Sequence, residues 1–555
     1  MRLSNFVLTA SLTAVNAIPS YFEKRDAAPA ATIKNGTLEG ISIPSFSQEA
    51  FLRIPFAEPP VGDLRFATPR FLTQGWNGTL EAKTYPQKCV GYGTEQIEDG
   101  GAQGEDCLYL NVVRPAGMDS GSALPVAVWI HGGGFSQGGT IKPLYNISYM
   151  IQNGIEIDRP FIGVTLQYRL NAYGFLNGDQ VKAAGATNLG IRDQRLALQW
   201  VQENIAAFGG NPDKVTIFGE SAGAASVGIH LVAYGGRNDK LFRGAVMESG
   251  GPLLLGSKYN ASLEQSKYDM LVQATGCSRF SDSLECLRDL DYTSLNAALN
   301  GTAANTFFPY EDGDLIQGSL YDQLEAGKFV QVPIIIGTNT EEGGFTASGM
   351  KVDTDAQFRD AVASYGSNET VPFIEALYPN IPAIGIPARI KTPTEAQGKQ
   401  YKRLAAFTGD YTFIAPRRLT CQSWAQHNVT AYCYRFNGDL PSILPTAGAT
   451  HWVEVAYVFY NLDRVSNEGT WPIPEDYKRL AKLVSSMWVS FFVDGDPNGH
   501  GQKDVAKWPA YADGDTGYAE DFAFDVNGTS KPELDTWRAE GIAYLNSVYG
   551  SAYNK

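Results

Sequence analysis

Ser221 stands between two glycines in "VTIFGESAGAAS", residues 215–226. A serine hydroxyl becomes a nucleophile when a neighbouring base takes its proton and a carboxylate orients that base. The bare G-x-S-x-G pattern carries little in a chain with 58 glycines, where about 0.4 matches arise by chance. Its setting carries more. "VTIF" predicts a strand and "SAGAASVGIH" a helix opening at the turn. A strand, tight turn and helix push a serine out above a sheet, with glycines where side chains would clash.

In such a sheet the chain order is serine, acid, histidine. The chain has five histidines. His131 precedes the serine, His230 shares its predicted helix, His427 adjoins the sequon at Asn428 and reads as exposed, and His500 sits in a polar loop, "DPNGHGQ". His451, in "GATHWVEVAYVF", remains as the candidate base. An acid should leave a strand between the two, and "VPIIIG" followed by "TNTEEGGF" offers Glu341 and Glu342 side by side. Asp312 and Asp314 in "YEDGDLI" compete, and spacing does not choose among the four. "WIHGGGF" (129–135) puts three glycines after another predicted strand, where bare backbone amides could meet a developing oxyanion; the amide of Ala222 is a further donor.

The elements that must hold these groups read as an α/β fold. "PVAVWI" (125–130), "FIGVTLQY" (161–168), "VTIF" (215–218), "GAVMES" (244–249), "VPIIIG" (332–337) and "AYCYRF" (431–436) are nearly all apolar, as in strands buried on both faces of a mostly parallel sheet. "LALQWVQENIAAF" (196–208) has helical spacing and ends at Gly209-Gly210, predicting a crossover helix. Residues 260–300 and 350–430 read as helical insertions, and no period or Ser/Gly linker divides the 555 residues, so 26–555 is expected to form one domain.

A net charge of -15 without a Lys/Arg run excludes nucleic acid and anionic membrane as main partners. Residues 1–17, with a short apolar run ending Val15-Asn16-Ala17, read as a secretory signal peptide, and Lys24-Arg25 marks 18–25 as a pro-segment. No later segment is apolar enough to anchor in a bilayer, so the expected location is extracellular. Sequons at Asn35, Asn77, Asn146, Asn260, Asn300, Asn368, Asn428 and Asn527 agree with export. So do six cysteines in three close pairs, Cys89 and Cys107, Cys277 and Cys286, Cys421 and Cys433, for which local pairing is the simplest connectivity. Free buried thiols are the competing reading, most of all for the last pair.

With these residues in place, the chain resembles the type-B carboxylesterase and lipase family, which includes cholinesterases and large fungal lipases. The resemblance rests on "FGGNPDKVTIFGESAG" (208–223), "EDCLYLNVVRP" (105–115), "RIPFAEPPVGDLRF" (53–66), "WIHGGGF", "YRLNAYGFL" (168–176), "NLGIRDQRLALQWVQENIAAFGG" (188–210), "GDPN" (495–498) and "WPAY" (508–511), over about 30–545. It implies an α/β-hydrolase fold with helical insertions and a carboxylic ester hydrolase that needs no metal and no organic cofactor. Carried over residue by residue, it implies Ser221 as nucleophile, Glu342 as acid, His451 as base, and Gly133, Gly134 and Ala222 as oxyanion donors. Glu220 and Ser249 match positions close behind the triad. The family's disulfides correspond to Cys89–Cys107 and Cys277–Cys286, while Cys421 and Cys433 depart from its common pattern.

The substrate is expected to be a small-molecule ester. In lipase relatives the loop closed by the first disulfide is a long amphipathic lid. Here "VGYGTEQIEDGGAQGED" has 17 residues and is polar, acidic and glycine-rich, without the apolar face that docking at an oil surface requires. This favours a carboxylesterase for soluble or short-chain esters over a triacylglycerol or sterol-ester lipase, with a non-catalytic adhesion role as a third reading. Phe135, Phe307, Phe308 and Trp452 are candidates to line the pocket. His451 must be neutral to act, so activity is expected to fall on the acid side.

Overall fold

A computed structural model describes residues 28–253, 261–301, 307–440, 444, 446–465, 472–512 and 518–552. The expected signal peptide and pro-segment, 1–17 and 18–25, and the sequon at Asn260 lie outside the described residues.

Eleven strands form the central sheet: β1 (Ile41–Ile43), β2 (Gln48–Pro55), β3 (Tyr109–Pro115), β4 (Leu124–Ile130), β5 (Ile162–Leu166), β6 (Gly210–Glu220), β7 (Gly244–Glu248), β8 (Ile334–Asn339), β9 (Ala431–Phe436), β10 (Glu520–Phe524) and β11 (Lys531–Leu534). Their order is β11-β10-β9-β8-β7-β6-β4-β5-β3-β2-β1. Strands β5, β4 and β6 to β10 run parallel, and antiparallel strands close both edges.

The apolar runs belong to strands with a core on each face. Along β4, Val126, Val128 and Ile130 enter one core while Ala127 and Trp129 enter the other. The first core is covered by α2 (Leu189–Asn204) and α3 (Ala222–Gly236), the second by α1 (Ser148–Glu156) and α7 (Glu475–Asp494). Between β8 and β9 lie α4 (Gly343–Thr346), α5 (Tyr401–Gly409) and α6 (Ala415–Gln426). No helix among the described residues is long and apolar enough to cross a membrane.

The crossover helix α2 begins at Leu189, seven residues before the apolar spacing suggests. Its first turns bury polar side chains, which breaks the pattern without exposing the helix. Asp193 is fully buried and accepts both Arg169 Nε (2.8 Å) and Arg169 Nη2 (2.7 Å), and Gln194 bonds Ser226 and His230 of α3.

All three cysteine pairs are bonded, and no free thiol is left among the described residues. The third bond, Cys421–Cys433, ties α6 to β9 and corrects the reading of buried free thiols for that pair. Asn77, Asn300, Asn368, Asn428 and Asn527 are exposed, whereas Asn35 and Asn146 are half-buried.

The Arg169–Asp193 pair locks the 168–176 segment against α2, and that segment in turn supports the glycine loop, since Tyr168 Oη donates to His131 O and Asn171 N to Phe135 O. Removing one partner strands a buried charge. Asp193→Ala is expected to cost about 3–5 kcal/mol, read as a lower urea midpoint at unchanged m-value.

Candidate active site

Strand register brings the candidate residues together. Glu220 at the end of β6 pairs with Glu248 at the end of β7, and Glu248 with Gly337 near the end of β8. Ser221 and the 340–342 turn therefore leave the same edge of the sheet, the carboxyl edge where α/β sheets bind ligands.

Ser221 has φ 56 and ψ -121, a left-handed conformation that costs a non-glycine residue free energy. The neighbours hold it there. Ser221 N donates to Glu248 O at 2.9 Å, and its own carbonyl accepts Ala225 N in the first turn of α3. The flanking glycines are required by the next strand: a Cβ on Gly223 would lie 2.1 Å, and one on Gly219 2.6 Å, from the carbonyl oxygen of Ile130. The strain at the serine is thus offset by tight backbone packing around it.

His451 Nε2 lies 2.8 Å from Ser221 Oγ, and Nδ1 lies 2.8 Å from Glu342 Oε2. With Nδ1–H donating to the carboxylate, Nε2 is left to accept the hydroxyl proton. Glu342 is fully buried, and its other oxygen accepts Asn339 N. Glu341 points elsewhere, its Oε1 accepting Ala388 N. Asp312 binds Thr187 and Asn188 and caps its own turn, and Asp314 pairs with Arg192, so both are structural.

The side chains of the remaining histidines are engaged elsewhere. His131 stacks on Tyr168, and His230 faces Gln194. His427 is half-buried rather than exposed, its Nδ1 against Ser423 O, because Gly327 packs onto the ring. His500 is on a loop, as expected, but buried, with Nδ1 accepting Gln502 N.

Among the described residues, the amides of Gly133, Gly134 and Ala222 donate to no protein acceptor. Gly133 and Gly134 have φ of 96 and 61, which turn the chain tightly. The adjacent Gly132 lies so close to the elbow that a Cβ there would meet Glu220 O at 2.7 Å. Ala222 follows the serine, and Gly133 and Gly134 follow Gly132, which packs against it, so these free amides are candidates to meet an oxyanion.

Several parts have no motif to announce them. Phe345 and Phe413 sandwich the His451 ring at centroid distances of 4.8 and 4.6 Å. Behind the triad, Glu454 accepts Ser249 Oγ at 3.0 Å and also the Asn339 side chain, and Trp488 Nε1 donates to Glu248 at 2.8 Å. Only the three-residue spacing of "HWVE" could have pointed to Glu454. Of the pocket candidates, Phe307 is a fully buried core residue. Phe308 is exposed and meets Phe135 edge-on, and Trp452 is half-buried.

The electrostatics follow from burial. Desolvation disfavours an imidazolium, but Glu220, 3.3 Å from Nε2, and Glu342 outweigh it and push the His451 pKa up to about 9. Burial pushes Glu220 up to about 8 and Glu454 to about 7, against the pull of His451. Glu220 and His451 therefore titrate as a pair.

A serine, histidine and glutamate hydrogen-bonded in series at the carboxyl edge of this sheet define an α/β-hydrolase. The chain belongs to the carboxylesterase family, whose profile, described as "Carboxylesterase family", matches residues 27–537. It is 35% identical over 523 residues to "Lipase 4" of Diutina rugosa, covering 87% of this chain and 90% of that protein. It is 33% identical over 557 residues to "Secreted lipase 1" of Botryotinia fuckeliana, covering 93% and 94%. The crystal structure of Aspergillus niger EstA superposes with a TM-score of 0.80 at 28% identity, over 94% of this chain and 98% of that one. The protein is accordingly a carboxylic ester hydrolase.

If neutral His451 is the working form, kcat/KM falls as pH drops through its raised pKa, so the acid limb is expected above the ordinary histidine value of about 6.5. Glu220→Gln removes a negative charge next to Nε2 and should move that limb down by about one unit. An unmoved limb would mean that Glu220 already carries its proton in the working enzyme.

Proposed function

We propose that the protein is a secreted carboxylesterase that cleaves soluble or short-chain carboxylic esters through an acyl-enzyme on Ser221. In this reading Ser221 Oγ attacks the ester carbonyl carbon as His451 Nε2 takes its proton, and the amides of Gly133, Gly134 and Ala222 hold the oxyanion. The imidazolium, oriented by Glu342, then protonates the departing alcohol. Water gives a proton to His451 and attacks the acyl carbon; the C–O bond to Ser221 breaks, the acid leaves, and the serine recovers its proton.

The observation that carries the short-chain reading is the loop closed by Cys89–Cys107. It is pinned by polar contacts rather than laid over the site by an apolar face. The fully buried Lys88 donates Nζ to Glu95 O (3.2 Å) and Gln96 O (2.9 Å), and Lys142 pairs with Glu95 at 2.6 Å. Tyr92 N bonds Ser136 O, and Tyr92 Oη donates to Asn296. Within the loop Ile97 is the one large apolar side chain that is strongly exposed, at 83%. Little apolar surface is available to uncover at an oil interface.

Secretion is supported by the three disulfides and the exposed sequons. A lipase for water-insoluble esters is the second reading, favoured by the names of the two fungal relatives. An adhesion role has no support from a site that keeps the hydrogen-bonded series and free amides.

Hydrolysis of p-nitrophenyl esters from acetate to palmitate, below and above substrate solubility, tests the choice. Turnover is expected to be highest on short chains without a jump at the solubility limit, and to fall by roughly 10⁴-fold or more in Ser221→Ala. A rise on long chains only above that limit would make the enzyme a lipase.

A further inference from the structure

Outside the carboxyl edge, the structure holds a cavity of about 430 Å³ whose charge contrasts with the rest of the molecule. The protein carries a net charge of -15, yet four cationic side chains line this cavity against two carboxylates, Asp353 and Glu395. Both carboxylates lie 3.9 Å from Lys351, which stands outside the lining. Of the cations, Arg403 is committed, donating to Tyr378 O, Glu375 O, Gln400 and Asp355. Lys391, Lys399 and Lys402 make no side-chain hydrogen bond or ion pair among the described residues.

Lys402 is the informative one. It opens α5 at its second position and is only 7% exposed, while its ammonium nitrogen keeps access to the cavity. That ammonium has no protein acceptor among the described residues, and an arriving anion would supply a charge-assisted partner. Ile381, Pro382 and Pro393 add apolar wall to the same cavity. Lysines and apolar side chains lining one space suit a ligand with an anionic head and a compact apolar body.

We propose that this cavity is a second binding site, distinct from the ester-cleaving centre, for a small organic carboxylate held by Lys402 with Lys391 and Lys399. The site does not depend on the assignment of Ser221, although ester cleavage liberates acids of this class. One helix lies between the cavity and the turn that carries Glu342: Tyr401 Oη, next to Lys402, donates to Gly344 O at 3.0 Å, and Gly409 at the other end of α5 packs on Gly343.

Isothermal titration of sodium hexanoate into the intact protein tests the proposal. Ser221 is first blocked with diethyl 4-nitrophenyl phosphate and the adduct checked by mass, which reports on the serine separately. Hexanoate is expected to bind, to weaken about tenfold or more in Lys402→Met and at high salt, and to be displaced by inorganic phosphate, while 1-hexanol gives no binding. Lys402→Met keeps the buried stem, and thermal unfolding verifies its fold. Should that variant fail to fold, the exposed pair Lys391→Ala/Lys399→Ala must weaken hexanoate binding instead. Unchanged affinity in a folded Lys402→Met, no binding to the parent, or equal binding of 1-hexanol would overturn the site. Phosphate binding tighter than hexanoate would overturn the organic-acid assignment in favour of free phosphate.

Discussion

The His451 ring, hydrogen-bonded at 2.8 Å on both nitrogens, is the interaction to which the rest of the structure is fitted. Its partners lie 109 and 230 residues away in sequence, so only the sheet can bring them together. Parallel register does this by ending β6, β7 and β8 on one edge. The elbow then needs Ser221 in a strained conformation, and the glycines at 219 and 223 let β4 press close enough to hold it. On the acid side Gly343 has the same duty: a Cβ there would sit 1.6 Å from Ala405 O, so α5 seats directly on the turn that carries Glu342. Position at the site is therefore set mainly by backbone packing.

Water exclusion gives these contacts their strength. His451 stacks against two phenylalanine rings and Glu342 is fully buried, so an imidazolium formed at His451 would be stabilised by fixed carboxylates rather than by solvent. Glu220, Glu248 and Glu454 behind the triad share that dry region. Burial raises the pKa of each, and the charge of neighbouring glutamates, Glu342 among them, adds to it. Charge on Glu220 holds the His451 pKa up, so the cluster bears on the protonation state of the ring next to the serine.

Much of this was legible in the sequence because it is local. The apolar runs at 125–130, 215–218 and 431–436 are strands, and the glycines around Ser221 mark the elbow. What was not legible depends on long-range contact. Glu341 and Glu342 are equivalent by spacing and are separated by the turn into α4, which points one at His451 and the other at Ala388. The start of α2 was hidden because Asp193 and Gln194 are buried by partners 24 and 32 residues away. His500 looked solvated in a polar loop but is covered by the packing around 497–502. The cavity at Lys402 had no sequence signal, since Lys391, Lys399 and Lys402 follow no regular spacing and only the fold brings Ile381 and Pro382 to them.

The central claim is that the Glu342–His451–Ser221 series makes Ser221, alone among the serines, a nucleophile toward esters. Rapid acid quench after mixing with p-nitrophenyl butyrate, followed by peptide mass spectrometry, tests it most directly. The account predicts a butyryl group on the peptide containing Ser221, absent from His451→Ala protein under the same quench. Turnover with no acyl group on Ser221, or an acyl group on a different residue, would contradict it.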